Sequence, residues 1–225
     1  MEKITEYVFN GFTATIIMPE NPNGKWIWKT EFLYAFDDAE RALLNDGYTR
    51  VYYRISDMYG SYRAVRLMHD FHLDLLNRFP LCKKANLFGF SRGGLYAFNY
   101  ALFYPEYVDK IYLDAPVLDL RSWPWADSPE QSQMLKEYCL TKDTLKEFKG
   151  CPVYNFAEFF SHKIPTLLVA GGKDEVVKFE DNSQKLIDYA ITHGENFKYV
   201  IKPECGHHPH SLTDITPILN FIEND

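Results

Sequence analysis

The stretch that decides the fold is Asn86-Leu87-Phe88-Gly89-Phe90-Ser91-Arg92-Gly93-Gly94-Leu95-Tyr96-Ala97, NLFGFSRGGLYA in one-letter code. We interpret the apolar run before the glycines as a buried strand and the apolar run after them as a helix. A strand that enters a helix through this stretch must make a sharp turn, in which side chains at Gly89 and Gly93 would clash. The turn is therefore predicted to expose the Ser91 hydroxyl at the carboxyl edge of a sheet.

A glycine-rich phosphate loop is the alternative interpretation of this stretch. Residues 89–94 fit neither the GxGxxG nor the GxxxxGK[ST] pattern, so a special serine is favoured over a phosphate site. Ser91 would stand at a helix N terminus, where free N–H groups and the helix dipole favour developing negative charge. The N–H of Arg92 is then the natural first donor of an oxyanion hole.

Extended and helical runs alternate along most of the chain, which predicts an α/β protein with a mainly parallel sheet. The first two strands are expected to form an antiparallel hairpin around Asn10-Gly11. The predicted strands are Thr5–Phe9, Phe12–Met18, Lys25–Lys29, Thr49–Ile55, Ala85–Phe88, Val108–Leu113, Ile164–Ala170 and Phe197–Lys202. The main predicted helices are Phe36–Asn45, Tyr62–Arg78, Leu95–Tyr104, Glu180–His193 and Ile215–Ile222.

The alternation lapses at about residues 119–163, which are too many for a simple loop. We interpret this segment as a helical lid inserted into a single domain that spans residues 1–225. Its Trp123 and Trp125 are candidates for lining a substrate pocket, because the segment follows the end of a strand. Aromatic side chains that only pack the segment onto the sheet are the alternative.

Composition excludes several classes of function. A chain of 225 residues with 46% hydrophobic residues can build one sizeable core, and a net charge of −7 argues against binding nucleic acid or an anionic membrane. No apolar run is long enough for a membrane span, and no secretory leader is evident, so a cytoplasmic protein is expected. The four cysteines lack CxxC spacing, which favours free thiols over a zinc site.

A serine hydroxyl becomes a good nucleophile only when a base takes its proton and a third group orients that base. Asp174 directly follows the seventh predicted strand, and His207 follows the eighth. Glu175 and Asp114 are alternative acids, and His208 is the alternative base. His207, His208 and His210 also raise the question of a metal, but neighbouring histidines do not easily face one ion, so no metal is expected.

With this order of serine, acid and histidine, the chain resembles the α/β-hydrolase superfamily over nearly its whole length. The resemblance implies a three-layer α/β/α sandwich with a mostly parallel sheet of about eight strands. It also implies that Ser91 is the nucleophile, that Asp174 orients the base and that His207 is the base, with no cofactor. The final segment GHHPHSLTDITPILNFI, residues 206–222, resembles small bacterial esterase-like hydrolases associated with carbohydrate breakdown.

The resemblance further implies a second oxyanion donor just after the third strand, in residues 29–32, where Thr30 is the predicted donor. Tyr59 and His208 are added to the substrate-pocket candidates, although a packed turn is an equal alternative for Tyr59. The expected substrate is a small carboxylic ester, with an acylated carbohydrate as one candidate. A thioester, a peptide and a non-catalytic ligand-binding role remain open, and the sequence does not give the oligomeric state.

Overall fold

The computed structural model describes residues 2–224. Eight strands run in chain order: β1 Lys3–Phe9, β2 Phe12–Met18, β3 Trp26–Lys29, β4 Thr49–Tyr53, β5 Ala85–Phe90, β6 Val108–Asp114, β7 Thr166–Gly171 and β8 Phe197–Lys202. The α-helices are α1 Asp38–Asn45, α2 Tyr62–Arg78, α3 Gly93–Phe103, α4 Pro129–Glu137, α5 Lys142–Glu147, α6 Phe156–Ser161, α7 Ser183–His193 and α8 Thr216–Glu223.

All eight strands join in one sheet, in the order β1-β2-β4-β3-β5-β6-β7-β8. Strands β1 and β2 form the expected hairpin, and β2 pairs antiparallel with β4. Every pairing from β4 through β3 to β8 is parallel. The carboxyl ends of the parallel strands therefore share one edge, which is where an open α/β sheet binds ligands.

Helices cover both faces of the sheet and give the three predicted layers. On one face, α2, α3, α6 and α7 pack through residues such as Phe71, Phe98 and Leu186. On the other face, α1 and α8 pack through Leu43 and Phe221. All six residues of β5 are buried because helices cover both of its faces, whereas β1 alternates between exposed and half-buried residues. The mostly parallel α/β/α sandwich predicted from the sequence is confirmed.

Residues 119–163, the segment interpreted as a lid, contain α4, α5 and α6 and dock on the body of the molecule. The Phe159 ring stacks on the Phe98 ring of α3 with centroids 4.2 Å apart. At the end of α4, Glu137 accepts a 2.6 Å hydrogen bond from the Ser61 hydroxyl and pairs with Arg63. These contacts join the segment to the start of α2 and to the middle of α3. No helix among residues 2–224 is long and apolar enough to cross a membrane.

Candidate active site

Ser91 occupies the sharp turn between β5 and α3, and its backbone is left-handed with φ of 51°. Two backbone hydrogen bonds tie it to β6 and to the loop after β6: its N–H donates to the Asp114 carbonyl at 2.9 Å, and its carbonyl accepts from the Val117 N–H at 2.9 Å. A non-glycine residue in this region is strained, and the neighbouring strand supplies the contacts that keep it so. Its side chain remains partly exposed at the sheet edge.

The glycines around Ser91 are required by close approach. A Cβ at Gly89 would lie 2.7 Å from the Ala97 Cβ, and one at Gly94 would lie 2.4 Å from the Pro116 Cβ. A Cβ at Gly93 would lie 3.0 Å from the Thr30 hydroxyl. The helix thus sits against the strands closely enough to aim the turn outward, as the sequence predicts.

The structure brings Ser91, His207 and Asp174 together. Nε2 of His207 lies 3.0 Å from the Ser91 hydroxyl, and Nδ1 of His207 lies 2.7 Å from Asp174. Both His207 and Asp174 are buried, whereas Ser91 is partly exposed. At these distances the hydroxyl, the imidazole and the carboxylate form one continuous chain of hydrogen bonds.

The Asp174 carboxylate is held from two sides. One oxygen accepts hydrogen bonds from the N–H groups of Val176 and Val177, at 3.0 and 2.9 Å. The other oxygen faces Nδ1 of His207. Because an ionised carboxylate only accepts hydrogen bonds, Nδ1 carries the proton and Nε2 is left as an acceptor for the Ser91 hydroxyl.

The alternative acid and base lie beside this set without joining it. Asp114 accepts from Nδ1 of His210 at 2.7 Å and from the Ser211 N–H at 2.8 Å, so it orients a different histidine. Glu175 is exposed. His208 is exposed as well, and partial burial together with the neighbouring His210 and His207 lowers its pKa.

The loop after β3 approaches the Ser91 turn, but Thr30 does not offer its backbone donor. The Thr30 N–H already donates to the Phe88 carbonyl at 3.1 Å, and its hydroxyl donates to the Gly93 carbonyl at 2.8 Å. The prediction of Thr30 as an oxyanion donor is therefore wrong for this structure, because β3 continues its pairing with β5 by one more bond. Among residues 2–224, no hydrogen bond engages the N–H groups of Arg92, Glu31 or Phe32.

The Arg92 side chain lies between two carboxylates. Its guanidinium donates to Asp57 at 3.0 Å and to Glu31 at 3.4 Å. Burial raises the pKa of Glu31, while Arg92 and a hydrogen bond from Ser56 act in the opposite direction. Arg92 thus ties the turn to the loops that follow β3 and β4, both at the carboxyl edge of the sheet.

Comparison with known proteins identifies the family to which the chain belongs. The model of the prolyl oligopeptidase family matches residues 79–224, which is more than half of the chain and includes the Ser91 turn, Asp174 and His207. The chain belongs to the prolyl oligopeptidase family. It is accordingly a hydrolase of the α/β-hydrolase superfamily. No match was found among curated protein sequences.

Two solved structures of similar fold can be superposed on nearly the whole length of this chain. A probable hydrolytic enzyme from Pseudomonas aeruginosa is 18% identical with a TM-score of 0.57, and the match covers 97% of this chain and 91% of that one. An acylaminoacyl peptidase from Pyrococcus horikoshii is 15% identical with a TM-score of 0.67. That match covers 98% of this chain and 39% of the larger protein.

The pocket candidates of this prolyl oligopeptidase family member fall in different surroundings. Tyr59 is 0% exposed, and its hydroxyl donates to Gln133 at 3.1 Å, so it packs beneath residues 119–163. Trp123 is half-buried, with its ring 6.1 Å from the Tyr59 ring. Trp125 is 58% exposed. The packed-turn alternative therefore fits Tyr59, while Trp125 and His208 are open to solvent.

Two aromatic residues beside the site were not singled out from the sequence. Phe32 and Phe36 are both exposed and both left-handed, with φ of 58° and 50°. The Phe32 ring lies 5.4 Å from the Arg92 guanidinium, and the Phe36 ring stacks on His208 at 5.7 Å. Their place after β3 could have drawn notice, but nothing in the sequence reveals a left-handed phenylalanine. Phe32 thus lies beside the residue that follows Ser91, and Phe36 lies beside the residue that follows His207.

Proposed function

We propose that this protein is a serine hydrolase that forms an acyl-enzyme on Ser91, with His207 as general base and Asp174 as the orienting acid. The observation that carries the proposal is the chain of hydrogen bonds from Ser91 through His207 to Asp174, at 3.0 and 2.7 Å. Two further observations support the proposal. Ser91 lies at the carboxyl edge of the sheet, and the chain belongs to the prolyl oligopeptidase family.

In the proposed reaction, Nε2 of His207 takes the Ser91 proton as the oxygen attacks the substrate carbonyl. The oxyanion is stabilised by the N–H of Arg92 and by a second N–H, from Glu31 or Phe32. This second donor takes the place of Thr30. His207 then gives its proton to the leaving group. Water repeats the cycle with His207 as base and releases the acid. No cofactor is needed for these steps.

Two substrate classes fit this chemistry. Membership of the prolyl oligopeptidase family favours a peptide bond, and the Pyrococcus horikoshii structure of similar fold is an acylaminoacyl peptidase. The likeness of residues 206–222 to esterase-like hydrolases favours a small carboxylic ester, such as an acylated carbohydrate. We propose the peptide as the first candidate and the ester as the second.

The nucleophile is tested first, with a fluorophosphonate probe and intact mass. The wild type is expected to gain a single adduct, and the Ser91→Ala variant none. No adduct on folded wild type would contradict the proposed nucleophile and would favour a non-catalytic ligand-binding role.

The substrate is tested next, with a panel of N-acyl and free aminoacyl anilides, short acyl esters, acetylated sugars and one thioester. A higher kcat/KM on the anilides would support the peptide, and turnover of esters alone would support the second candidate. Every activity should vanish in Ser91→Ala, which identifies any contaminating hydrolase.

We also propose that residues 119–163 act as a lid over this site, in one domain with the rest of the chain. Trp123→Ala and Trp125→Ala test whether the lid contributes to substrate binding. At least one of them should change kcat/KM across the panel. If neither does, the two tryptophans only pack or cover the surface.

A further inference from the structure

Three histidines from one loop form a cluster around the proposed base. The rings of His207, His208 and His210 lie with all three pairs of centroids 4.8 Å apart, and each pair is near perpendicular. One ligating nitrogen from each ring lies within 4.8 Å of the others. The three rings therefore each bring a nitrogen into one small volume, although no metal is expected from the sequence.

Two of the three rings are each held by a carboxylate. Nδ1 of His207 lies 2.7 Å from Asp174, and Nδ1 of His210 lies 2.7 Å from Asp114. Each carboxylate accepts the Nδ1 proton and leaves Nε2 with its lone pair. In metal sites, a carboxylate that bonds the other ring nitrogen commonly orients the histidine ligand. Two such carboxylate–histidine pairs lie side by side here.

The third ring closes the cluster from the solvent side. His208 is exposed, and the Phe36 ring stacks on it at an interplanar angle of 17° while meeting the His210 ring edge-on at 5.3 Å. The Phe90 ring lies 5.5 Å from His210 on the inner side. The cluster thus has two rings that carboxylates hold in place and a third ring that is exposed to solvent and stacked by Phe36.

We propose that His207, His208 and His210 form a binding site for a divalent transition-metal ion such as Zn²⁺, and that this ion inhibits the hydrolase. Imidazole nitrogens suit Zn²⁺, Cu²⁺ and Ni²⁺, and zinc with three histidines leaves one position for water. A tetrahedral ion with Zn–N bonds of about 2.0 Å needs nitrogens roughly 3.3 Å apart. Since one nitrogen of each ring already lies within 4.8 Å of the others, metal binding would require the exposed His208 to rotate and bring its nitrogen inward.

Inhibition follows because one lone pair cannot serve two partners. Nε2 of His207 accepts the Ser91 hydroxyl at 3.0 Å, and the same lone pair would bind the metal. The bound ion would therefore remove the base from Ser91. A chelator that removes the ion should restore the base.

Binding is tested in the Ser91→Ala variant, whose result does not depend on any activity. Cobalt(II) is titrated as the probe, and a saturable, one-to-one absorption typical of a tetrahedral cobalt centre is expected in the visible range. His208→Asn in the same background should weaken binding at least about 10-fold, since a ligand is lost. The control is His193→Asn, because His193 is an exposed histidine on α7, and it should leave binding unchanged.

Inhibition is tested in the wild type and rests on the proposed function. Zn²⁺ is expected to prevent labelling by the fluorophosphonate probe, and EDTA to restore it. Absence of saturable cobalt binding, or equal binding by His208→Asn, would overturn the site. If cobalt binds but Zn²⁺ leaves the labelling of wild type intact, the inhibitory role is wrong. A wild type that never labels would count against the proposed function, while the cobalt titration would still decide the site.

Discussion

At the scale of single residues, the site contains two aspartate–histidine pairs. In both pairs the aspartate bonds Nδ1 of the histidine, but the residues next to the rest of the ring differ. In one pair, Asp174 holds His207 and the ring faces Ser91. In the other, Asp114 holds His210, and that ring packs beside His207 and His208. Only the first pair therefore has a hydroxyl to activate, so the proposed reaction should depend on Asp174.

Asp174→Asn tests this dependence. An amide in place of the carboxylate favours the wrong tautomer of His207, so kcat should fall by roughly 10⁴-fold while the fold is kept. Kinetics and circular dichroism measure the two parts. Glu175→Gln is the control, because Glu175 is the exposed neighbour and should cost less than about 2-fold. The opposite ranking of the two variants would make Glu175 the acid.

A second residue-scale prediction concerns His72, a fully buried histidine of α2. Its ring bridges the Lys83 carbonyl at 2.8 Å and the Tyr100 hydroxyl at 2.7 Å, and burial lowers its pKa to about 4 from 6.5. Because the unfolded chain binds this proton first, the stabilising contribution of His72 is present above pH 6.5 and is lost as pH falls towards 4. The loss amounts to about 3 kcal/mol.

Urea unfolding between about pH 7 and pH 4 measures this effect. The free energy of unfolding should fall less steeply with pH in His72→Gln than in the wild type, whatever the variant costs at neutral pH. His193→Gln is the matched control on an exposed helix end. Parallel curves for wild type and His72→Gln would show that His72 is not the group that titrates.

At the scale of elements, the proposed base depends on how closely the loop after β8 packs against the end of β7. A Cβ at Gly171 would lie 2.0 Å from the Gly206 carbonyl oxygen and 2.6 Å from that of Cys205. Gly171 is the last residue of β7, three residues before Asp174, and Gly206 immediately precedes His207. The close approach of the two backbones thus sets the distance between the acid and the base.

Gly171→Ala should therefore push His207 away from Asp174. We expect kcat to fall at least about 10-fold together with a lower melting temperature, because backbone must move. Gly206→Ala is the matched control: its Cβ would meet nothing nearer than 3.6 Å, so its loss should be clearly smaller. Equal effects of the two variants would contradict this account of the packing.

The elements were largely predictable because their patterns are local. The bounds of β2, α2 and β8 agree with the sequence-based prediction to the residue. Features that depend on contacts between distant segments were not predictable. The Thr30 N–H donates to the carbonyl of Phe88, which lies 58 residues away along the chain. Phe32 and Phe36 have a left-handed backbone, which phenylalanine rarely adopts. The burial of Tyr59 likewise depends on residues 119–163.

At the scale of the whole molecule, two of the contacts that hold residues 119–163 to the body differ in their chemistry. The Phe159–Phe98 stack is apolar and buried. The other attachment is polar and lies at Glu137, which bonds Ser61 and Arg63. We expect a lid to open at the end that Glu137 holds, because hydrogen bonds to the Glu137 carboxylate can be replaced by hydrogen bonds to water when that end separates.

Glu137→Ala tests which end opens. Loss of its hydrogen bonds should increase proteolytic cleavage or amide exchange around α4 several-fold, with a cost in overall stability of about 1 to 2 kcal/mol. Glu147→Ala, at an exposed residue of α5, is the control and should change neither. Unchanged exchange around α4 in Glu137→Ala would mean that this end is held by its apolar contacts.

The distance along the chain between Ser91 and His207 also determines when, during synthesis, the proposed reaction can begin. Ser91 and His207 are 116 residues apart. At typical rates of elongation, the ribosome adds these residues in roughly 6 to 23 seconds. Through that interval, the nascent protein carries Ser91 without His207, the proposed base. Reactivity is thus withheld until the last strand has been translated and has joined the sheet.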